Sequence, residues 1–255
     1  MKLNINKSDL LEPLTKVYGV IERRQTLPIL SNVYLSIHDG VLTLLGTDLE
    51  VQVMAKKAVP SQETFKTTIP ARKLLDICRS LPDDSVISFN FNDDKVIIKS
   101  GKSRFNLRTL AAEEYPLFDE LNYTDEVLIP QSTLVKAFSK TTFCMAQQDV
   151  RYYLNGLMLE IVAGELKIVA SDGHRLAFSK NPLDGQTKSV QQVIIPRKAA
   201  HEVLKLVDKY EGEVDLKIGK NNIKITLDGV ELNAKLIDGR FPDFSNIVSD
   251  QKSVV

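Results

Sequence analysis

The sequence predicts an α+β fold built from two copies of one structural unit. When the 255-residue chain is shifted by 124 positions, its first half matches its second, so that Leu30 aligns with Leu154 and Asp48 with Asp172. Each half also contains two segments with helical spacing of apolar residues and several short segments of alternating apolar and polar residues. Matches that keep their order along the chain indicate a duplicated unit. Such strands, with two helices per unit, predict antiparallel sheets covered by helices.

Each copy is predicted to open with a helix and to hold a second helix further on. Ser8 and Ser132 are candidate N-caps for the two opening helices. The second helices are predicted to begin at the matched Ile-Pro pairs 69–70 and 195–196, because proline fits a first helical turn. The apolar face of each helix is expected to pack on a sheet.

Short alternating segments predict the strands. Val33, Leu35 and Ile37 alternate with polar neighbours, and the Asp-Gly pair at 39–40 is typical of a hairpin turn. The later strands of the two copies are predicted at 86–91, 95–99, 104–110, 214–218, 223–227 and 230–237. We expect one domain over 1–122 and a second over 126–248, with the linker between them.

The composition is that of an ordinary globular protein, with 43% hydrophobic and 26% charged residues and a formal net charge of zero. The N-terminus lacks the apolar run of a signal peptide, and no apolar segment approaches the ~20 residues needed to cross a bilayer. A cytoplasmic protein without membrane association is therefore expected. Cys78 and Cys144 form no C-x-x-C pair and are interpreted as reduced, buried thiols.

The zero net charge hides an uneven distribution. The four predicted helical regions, 7–24, 69–81, 131–148 and 196–209, together carry +7, so the rest of the chain carries −7. If these helices line one surface, that surface is basic and attracts a phosphate backbone regardless of base sequence. The alternative is that the lysines and arginines only solubilise outward helix faces.

No motif predicts catalysis, a metal site or a cofactor. Gly101-Lys102-Ser103 lacks the first glycine of a phosphate-binding loop and is followed by a predicted strand. Ser171, Asp172 and His174 are neighbours on one predicted turn, which is not the spatial arrangement of a catalytic triad. Because Asp172 has a counterpart at Asp48, a structural turn role is favoured, although a hydrolase stays as a rival hypothesis.

Six stretches together resemble the bacterial DNA polymerase sliding clamp family, the β subunit of the replicative polymerase. They are TLPIL at 26–30, GTDLE at 46–50, IPARK at 69–73, DVRYYLNG at 149–156, SDGHRL at 171–176 and DGRFPD at 238–243. The resemblance covers the whole chain. It implies two copies of the DNA-clamp fold, each with antiparallel sheets outside and two helices on the inner side.

The resemblance also implies a non-catalytic processivity factor that encircles double-stranded DNA. The implied DNA-binding residues are Arg24, Arg72, Lys73, Gln148, Tyr152, Tyr153, Arg197 and Lys198. Contacts to phosphates position a protein without reading bases, as sliding requires. Tyrosines at 152 and 153 could stack on an unpaired base. The alternative for both is that they are ordinary aromatic residues at the entry to a strand.

A second implied site is a pocket for short linear peptides of the replicative polymerase and the clamp loader. Its implied residues are Leu154, Ser171, Gly173, His174, Arg175, Leu176, Pro242 and Ile247. The turn residues at 173–175 differ from their counterparts at 49–51, which favours a task for this copy alone. Leu154 and Pro242 have identical counterparts, so a scaffold role is equally open for them.

The family forms a head-to-tail ring of two subunits with three domains each. This chain resembles the first two domains, and 249–255 is interpreted as the start of a linker to an absent third domain. The ring joint is expected to use a strand edge around Arg104, Phe105 and Leu107, with Phe105 and Leu107 either exposed for the joint or packed in the core.

Overall fold

The computed structural model describes residues 2–22, 27–92, 94–118, 122–183, 190–208 and 211–248. The chain divides into two compact units. Unit 1 comprises Met1–Glu120 and Asp228–Asn233, and unit 2 comprises Leu121–Leu227 and Ala234–Val255.

Unit 1 consists of two antiparallel strand layers and a pair of helices. Its elements are β1 (Lys2–Asn6), α1 (Lys7–Tyr18), β2 (Asn32–His38), β3 (Val41–Thr47), β4 (Val51–Ala58), β5 (Phe65–Pro70), α2 (Ala71–Ser80), β6 (Val86–Asn92), β7 (Lys95–Ser100) and β8 (Ser103–Arg108). The strand orders are β1-β6-β7-β8 and β5-β2-β3-β4. The two helices contact each other.

Unit 2 repeats this arrangement. Its elements are β9 (Tyr123–Pro130), α3 (Gln131–Ser139), β10 (Gly156–Val162), β11 (Glu165–Ser171), β12 (Leu176–Pro182), β13 (Val190–Pro196), α4 (Arg197–Val207), β14 (Glu213–Gly219) and β15 (Asn222–Leu227). The strand orders are β12-β11-β10-β13 and β9-β14-β15, and α3 contacts α4. The last strand, β16 (Val230–Lys235), lies mostly in the segment that belongs to unit 1.

Alternation along the strands places the core inside each unit. Along β1 every second residue is buried, and Leu3 and Ile5 are each 2% exposed. Helix α2 buries its apolar face, including Leu74 and Leu75, and leaves its charged face to solvent. This is the pattern of an amphipathic helix on a half-buried sheet. The predicted α+β class is therefore confirmed.

The helix starts differ from the prediction. Ser8 and Ser132 are not N-caps, because α1 begins at Lys7 and α3 at Gln131, directly after the last residue of a strand. Helices α2 and α4 begin one residue after the predicted prolines, with Pro70 and Pro196 at the N-cap and inside the preceding strand. A strand that continues straight into a helix leaves no turn for a capping serine, and proline there gives up no N–H that the helix needs.

The two cysteines are buried free thiols, as predicted. Burial raises the pKa of the Cys78 thiol to about 12, so it stays protonated at neutral pH. In the described part of the chain, no helix has both the length and the hydropathy of a membrane span.

Candidate functional site

The turn between β11 and β12 is held by its own side chains. The Asp172 Oδ1 atom accepts hydrogen bonds from the backbone N–H groups of His174 and Arg175, both at 3.0 Å. The Ser171 hydroxyl donates to the Arg175 carbonyl at 2.9 Å and accepts the N–H of Gly173 at 3.1 Å. These backbone hydrogen bonds lower the pKa of Asp172 to about 2. Asp172 thus serves the turn, as its counterpart predicted.

Arg151 lies across this turn, at Gly173. Its guanidinium donates from Nε and Nη2 to the two oxygens of Asp149, at 3.0 and 2.9 Å, and from Nη2 to the Asp172 carbonyl at 3.2 Å. A Cβ atom on Gly173 would fall 2.6 Å from Nη2 and 2.7 Å from Nη1. The paired guanidinium holds the pKa of Asp149 at about 2. A side chain at this position would therefore displace the guanidinium, and the φ of +87° also favours glycine.

The chain around Arg151 is fixed from the other side by Asn155. Its side-chain oxygen accepts the N–H of Asp149 at 2.9 Å, and its side-chain nitrogen donates to the Asp149 carbonyl at 2.9 Å. The Arg151 carbonyl accepts the N–H of Leu154 at 2.9 Å, which starts the 3₁₀ turn Tyr152–Leu154. The backbone under the guanidinium is thus tied at several points.

Turn and loop together frame a hollow of about 230 Å³ in unit 2. The residues that line this hollow are Arg151, Tyr153, Leu154, Ser171, Gly173, Leu176, Phe241, Pro242, Asp243, Phe244 and Ile247. Six of the eight residues predicted for a peptide pocket are among them, all except His174 and Arg175. Five lining residues were not assigned to it by the sequence: Arg151, Tyr153, Phe241, Asp243 and Phe244.

The floor of the hollow is apolar and firmly packed. Leu154 and Phe241 are 3% and 2% exposed and belong to one hydrophobic cluster. Leu176 and Phe244 pack against that cluster, and the rings of Phe244 and Phe178 lie 5.7 Å apart. At the rim, Ile247 is 69% exposed. A concave apolar floor with a few polar rim groups suits the side chain of a docked peptide.

His174 and Arg175 lie on the turn beside the hollow, with exposed side chains that do not line it. The Arg175 guanidinium reaches the other way. It donates from Nε to Asp172 Oδ2 at 3.0 Å and from Nη2 to the Phe143 carbonyl at 2.8 Å, and it lies 5.7 Å from the Phe143 ring centre. Arg175 thus braces the turn, and its predicted part in peptide binding stays a prediction.

Among the predicted DNA-binding residues of unit 1, Arg24 lies outside the described residues. Arg72 and Lys73 are exposed on the first turn of α2. Arg72 approaches Asp76 only at 3.8 Å, so its guanidinium is open to solvent. Two exposed cations at a helix start form a basic surface, which suits contacts to phosphate.

In unit 2 the predicted DNA-binding residues have several environments. Gln148 is exposed, and Tyr152 is 57% exposed. Tyr153 is half-buried and lines the hollow, with its ring 5.9 Å from that of Tyr152. Arg197 and Lys198 are half-buried at the start of α4. Arg197 donates to the Met145 carbonyl at 2.8 Å, so it has a structural contact as well.

The predicted joint residues lie on β8, the last strand in the order β1-β6-β7-β8. Arg104 is exposed, Phe105 is half-buried, and Leu107 is 8% exposed. Of the two sequence-based alternatives, core packing applies to Leu107, because alternation along β8 turns that side chain inward. The exposed alternative was wrong for Leu107.

Two copies of one unit, each with a helix pair on antiparallel sheets and cations at helix starts, define a protein of the DNA-clamp class. The family model for the DNA polymerase III beta subunit, N-terminal domain, matches residues 1–119, and that for its central domain matches residues 128–243. The chain therefore belongs to the DNA polymerase III β subunit family, the bacterial sliding clamps. These are non-catalytic processivity factors of DNA replication.

Curated relatives and solved structures agree with this assignment. The chain is 44% identical over 251 residues to the beta sliding clamp of Pseudomonas aeruginosa, covering 97% of this chain and 68% of the relative. It is 42% identical to that of Escherichia coli K12, with the same two coverages.

Among solved structures, the Pseudomonas aeruginosa sliding clamp bound to griselimycin superposes with a TM-score of 0.93 at 42% identity, covering 98% of this chain and 68% of that one. Caulobacter crescentus pol III beta gives a TM-score of 0.92 at 33% identity, covering 99% and 70%. The predicted family, fold and class of function are confirmed.

Proposed function

We propose that this protein confers processivity on the replicative DNA polymerase by encircling duplex DNA and by docking polymerase and clamp-loader peptides in the hollow of unit 2. Family membership supports the class of partner, DNA and a polymerase. The observation that carries the docking site is the open hollow of unit 2, at a position where unit 1 places the side chain of Leu49. The proposal includes a cytoplasmic location, where bacterial DNA is replicated.

The hollow suits an extended peptide with an aliphatic or aromatic anchor. Such an anchor would cover Leu154 and Leu176 and be enclosed by the Phe244 ring, while the rim groups would meet the peptide backbone. Burial of one such side chain is worth about 1.5–3 kcal/mol. One anchor therefore supplies only part of the binding free energy, which keeps the contact exchangeable and allows partners to take turns.

Peptide binding tests this part. A fluorescein-labelled peptide copied from the clamp-docking segment of the host polymerase is titrated with the full chain. We expect saturable binding that unlabelled griselimycin displaces, since griselimycin binds the similar Pseudomonas clamp. Binding that Leu176→Ala leaves unchanged would place the peptide elsewhere and contradict the docking site.

For DNA, the proposal assigns the contacts to Arg24, Arg72, Lys73, Gln148, Tyr152, Tyr153, Arg197 and Lys198. The exposed cations at the start of α2 support phosphate contacts, which hold a duplex without fixing its register. Retention that depends on salt but not on base sequence is the expected signature.

Encircling is tested with the complete gene product on a nicked circular plasmid. We expect the loaded protein to stay on the circle and to be released when the plasmid is linearised. Equal retention on both forms would favour a peptide-docking adaptor that does not surround DNA.

Assembly belongs to the same proposal. Among the described strands, β8 is the last of its sheet and has one edge without a neighbour, which suits a head-to-tail joint with a further domain of a second subunit. We expect light scattering to show a homodimer for the complete gene product. A complete gene product that retains full activity as a monomer would overturn the ring.

A further inference from the structure

Arg151 and Gly173 differ together from their counterparts in unit 1. At a shift of 124 positions they align with Leu27 and Leu49. Leu49 keeps the same left-handed backbone, with φ at +78°, although leucine is strained there. In unit 2 glycine removes the side chain, and the Arg151 guanidinium occupies the space that a Cβ would need. Where unit 1 has two leucines, unit 2 thus has an arginine and a glycine whose missing side chain leaves room for the guanidinium.

Asp149 fixes the orientation of this cation. Its two carboxylate oxygens accept hydrogen bonds from Nε and Nη2 of the guanidinium, and the Asp172 carbonyl accepts a second hydrogen bond from Nη2. The Nη1 group donates to no described residue, yet it belongs to a side chain that lines the hollow. Two N–H donors are therefore held in a fixed direction at the rim without an acceptor in the described part of the chain.

The charges around this rim are balanced, which decides the kind of acceptor. Arg151 is paired with Asp149, and Arg175 is paired with Asp172. Asp243 is also at the rim, where hydrogen bonds from Ser245 lower its pKa and keep it ionised. Because these carboxylates are offset by the guanidinium groups of Arg151 and Arg175 and, beside Asp243, of Arg240, a ligand carboxylate gains no net attraction at the rim, whereas a neutral carbonyl oxygen needs none.

We propose that Nη1 of Arg151 donates to a main-chain carbonyl of the docked peptide, with Asp149 as the positioning residue and Gly173 as the required vacancy. The inference rests on the proposed peptide docking and adds how the register of the peptide is set. A hydrogen bond to the main chain does not depend on the peptide side chain at that position. Partners with different sequences can therefore bind in the same register along the hollow. The apolar anchor then supplies the selectivity.

A thioamide scan of the labelled peptide tests this contact. Each carbonyl oxygen along the peptide is replaced in turn by sulfur, a weaker acceptor, and affinities are measured with the wild type, Arg151→Ala and Asp149→Asn. In the wild type we expect one position to lose about 5- to 10-fold, as for a hydrogen bond to a charged donor. With either variant that loss should shrink to less than twofold, because the donor is absent or misdirected.

Asp149→Asn is a mild change, since its amide oxygen can still accept the Arg151 backbone N–H, now 2.8 Å from Asp149 Oδ1. Equal loss at one thioamide position in all three proteins would overturn the contact. An Arg151-dependent preference for an acidic over an amide side chain in the peptide would also overturn it. If the wild type binds no peptide at all, the docking proposal itself fails, which is a separate outcome.

The vacancy is tested by a double-mutant cycle. Gly173→Ala should weaken peptide binding about tenfold, but should add less than twofold in an Arg151→Ala background, where the new methyl group has no guanidinium to displace. Gly164→Ala is the matched control, because its φ is +75° and the nearest atom to its added Cβ is 4.0 Å away. Additive effects of the two changes would contradict the pairing.

Discussion

The turn Ser171–Arg175 of unit 2 and the turn Thr47–Val51 of unit 1 are held by the same hydrogen bonds but present different side chains. In unit 1 the Asp48 Oδ1 atom accepts the N–H groups of Glu50 and Val51 at 2.9 and 2.7 Å, and the Thr47 hydroxyl donates to the Val51 carbonyl at 2.9 Å. The hydrogen bonds of unit 2 repeat this pattern with a serine and an aspartate. The backbone is conserved between the units, and only the side chains it presents differ.

Those side chains decide whether a hollow exists. In unit 1, Leu49 packs on the closed cluster of Ile29, Leu30, Leu45 and Tyr115. The Tyr115 hydroxyl donates to the Asn32 carbonyl at 3.1 Å, and the Phe118 N–H donates to the Gln52 side chain at 3.0 Å.

In unit 2 these closing groups are absent: Phe241 stands at the Tyr115 position and Leu176 at the Gln52 position. Among the described residues, the same turn thus carries a leucine packed on an apolar cluster in unit 1 and borders an open apolar hollow in unit 2.

The largest effects are expected from deleting the shared floor. Leu30→Ala and Leu154→Ala each remove a buried leucine, 1% and 3% exposed, and should lower the free energy of unfolding by ~3 kcal/mol in a denaturant titration. Only Leu154→Ala should also weaken peptide binding. If Leu30→Ala weakens it equally in protein that is still folded, the two units are not functionally distinct.

The next effect comes from giving unit 2 the leucine of unit 1. Gly173→Leu should reduce peptide affinity at least ~30-fold, about 2 kcal/mol, because the side chain displaces Arg151 and enters the hollow. The measurement is fluorescence anisotropy of the labelled peptide. The reciprocal change, Leu49→Gly, is the control and should leave that affinity as it is; a loss there would show that unit 1 contributes to docking.

A smaller effect separates the two helix starts. Arg72→Ala and Arg197→Ala should each weaken duplex binding about threefold and reduce the salt slope by about one. Only Arg197→Ala should lower the melting temperature as well, since it removes the hydrogen bond to the Met145 carbonyl, worth ~1 kcal/mol. Thermal melting beside a salt-dependent DNA titration checks both. Unchanged DNA binding in both variants would argue against these helix starts as a phosphate surface.

The smallest predicted effect is on the stability of the protein at acid pH. The pKa values of Asp149 and Asp172 are both lowered to about 2, so their contribution to stability is complete above the unfolded value near 4. It is lost as the pH falls from about 4 through 2. Because both carboxylates are partly exposed, with 21% and 25% of their side-chain surface accessible, solvent screening keeps the effect modest. Asp172→Asn should flatten this acid limb of the stability curve, and a steeper limb in the variant would contradict the stated cause.

Much of the fold could be predicted because the chain contains two copies of one unit, so that each half of the sequence can be compared with the other. The equivalence of Asp48 and Asp172 predicted a structural turn, and alternation predicted the strands within a few residues. The helix starts were misplaced because a serine near a helix start is a local signal. Whether a strand such as β1 runs directly into a helix depends on how Asn6 and Lys7 are placed by the sheet.

The hollow was predictable only in part. Gly173 stood out because the two copies differ there, whereas Phe244 matches Phe118 and therefore looked like scaffold. Arg151 carried no signal of its own, since its importance comes from a glycine 22 positions later in the chain that the fold brings against it. A contact between two residues that are distant in the sequence cannot be inferred from residue spacing or composition.

Photo-crosslinking tests the central claim most directly, because it asks which unit holds the peptide. A peptide with a diazirine at its apolar anchor is irradiated with the wild-type chain, and the adducts are mapped by mass spectrometry. The account predicts adducts on Leu176, Phe244 and Ile247 of unit 2. Adducts on Leu49 or Tyr115 of unit 1, or adducts spread evenly over both units, would contradict it.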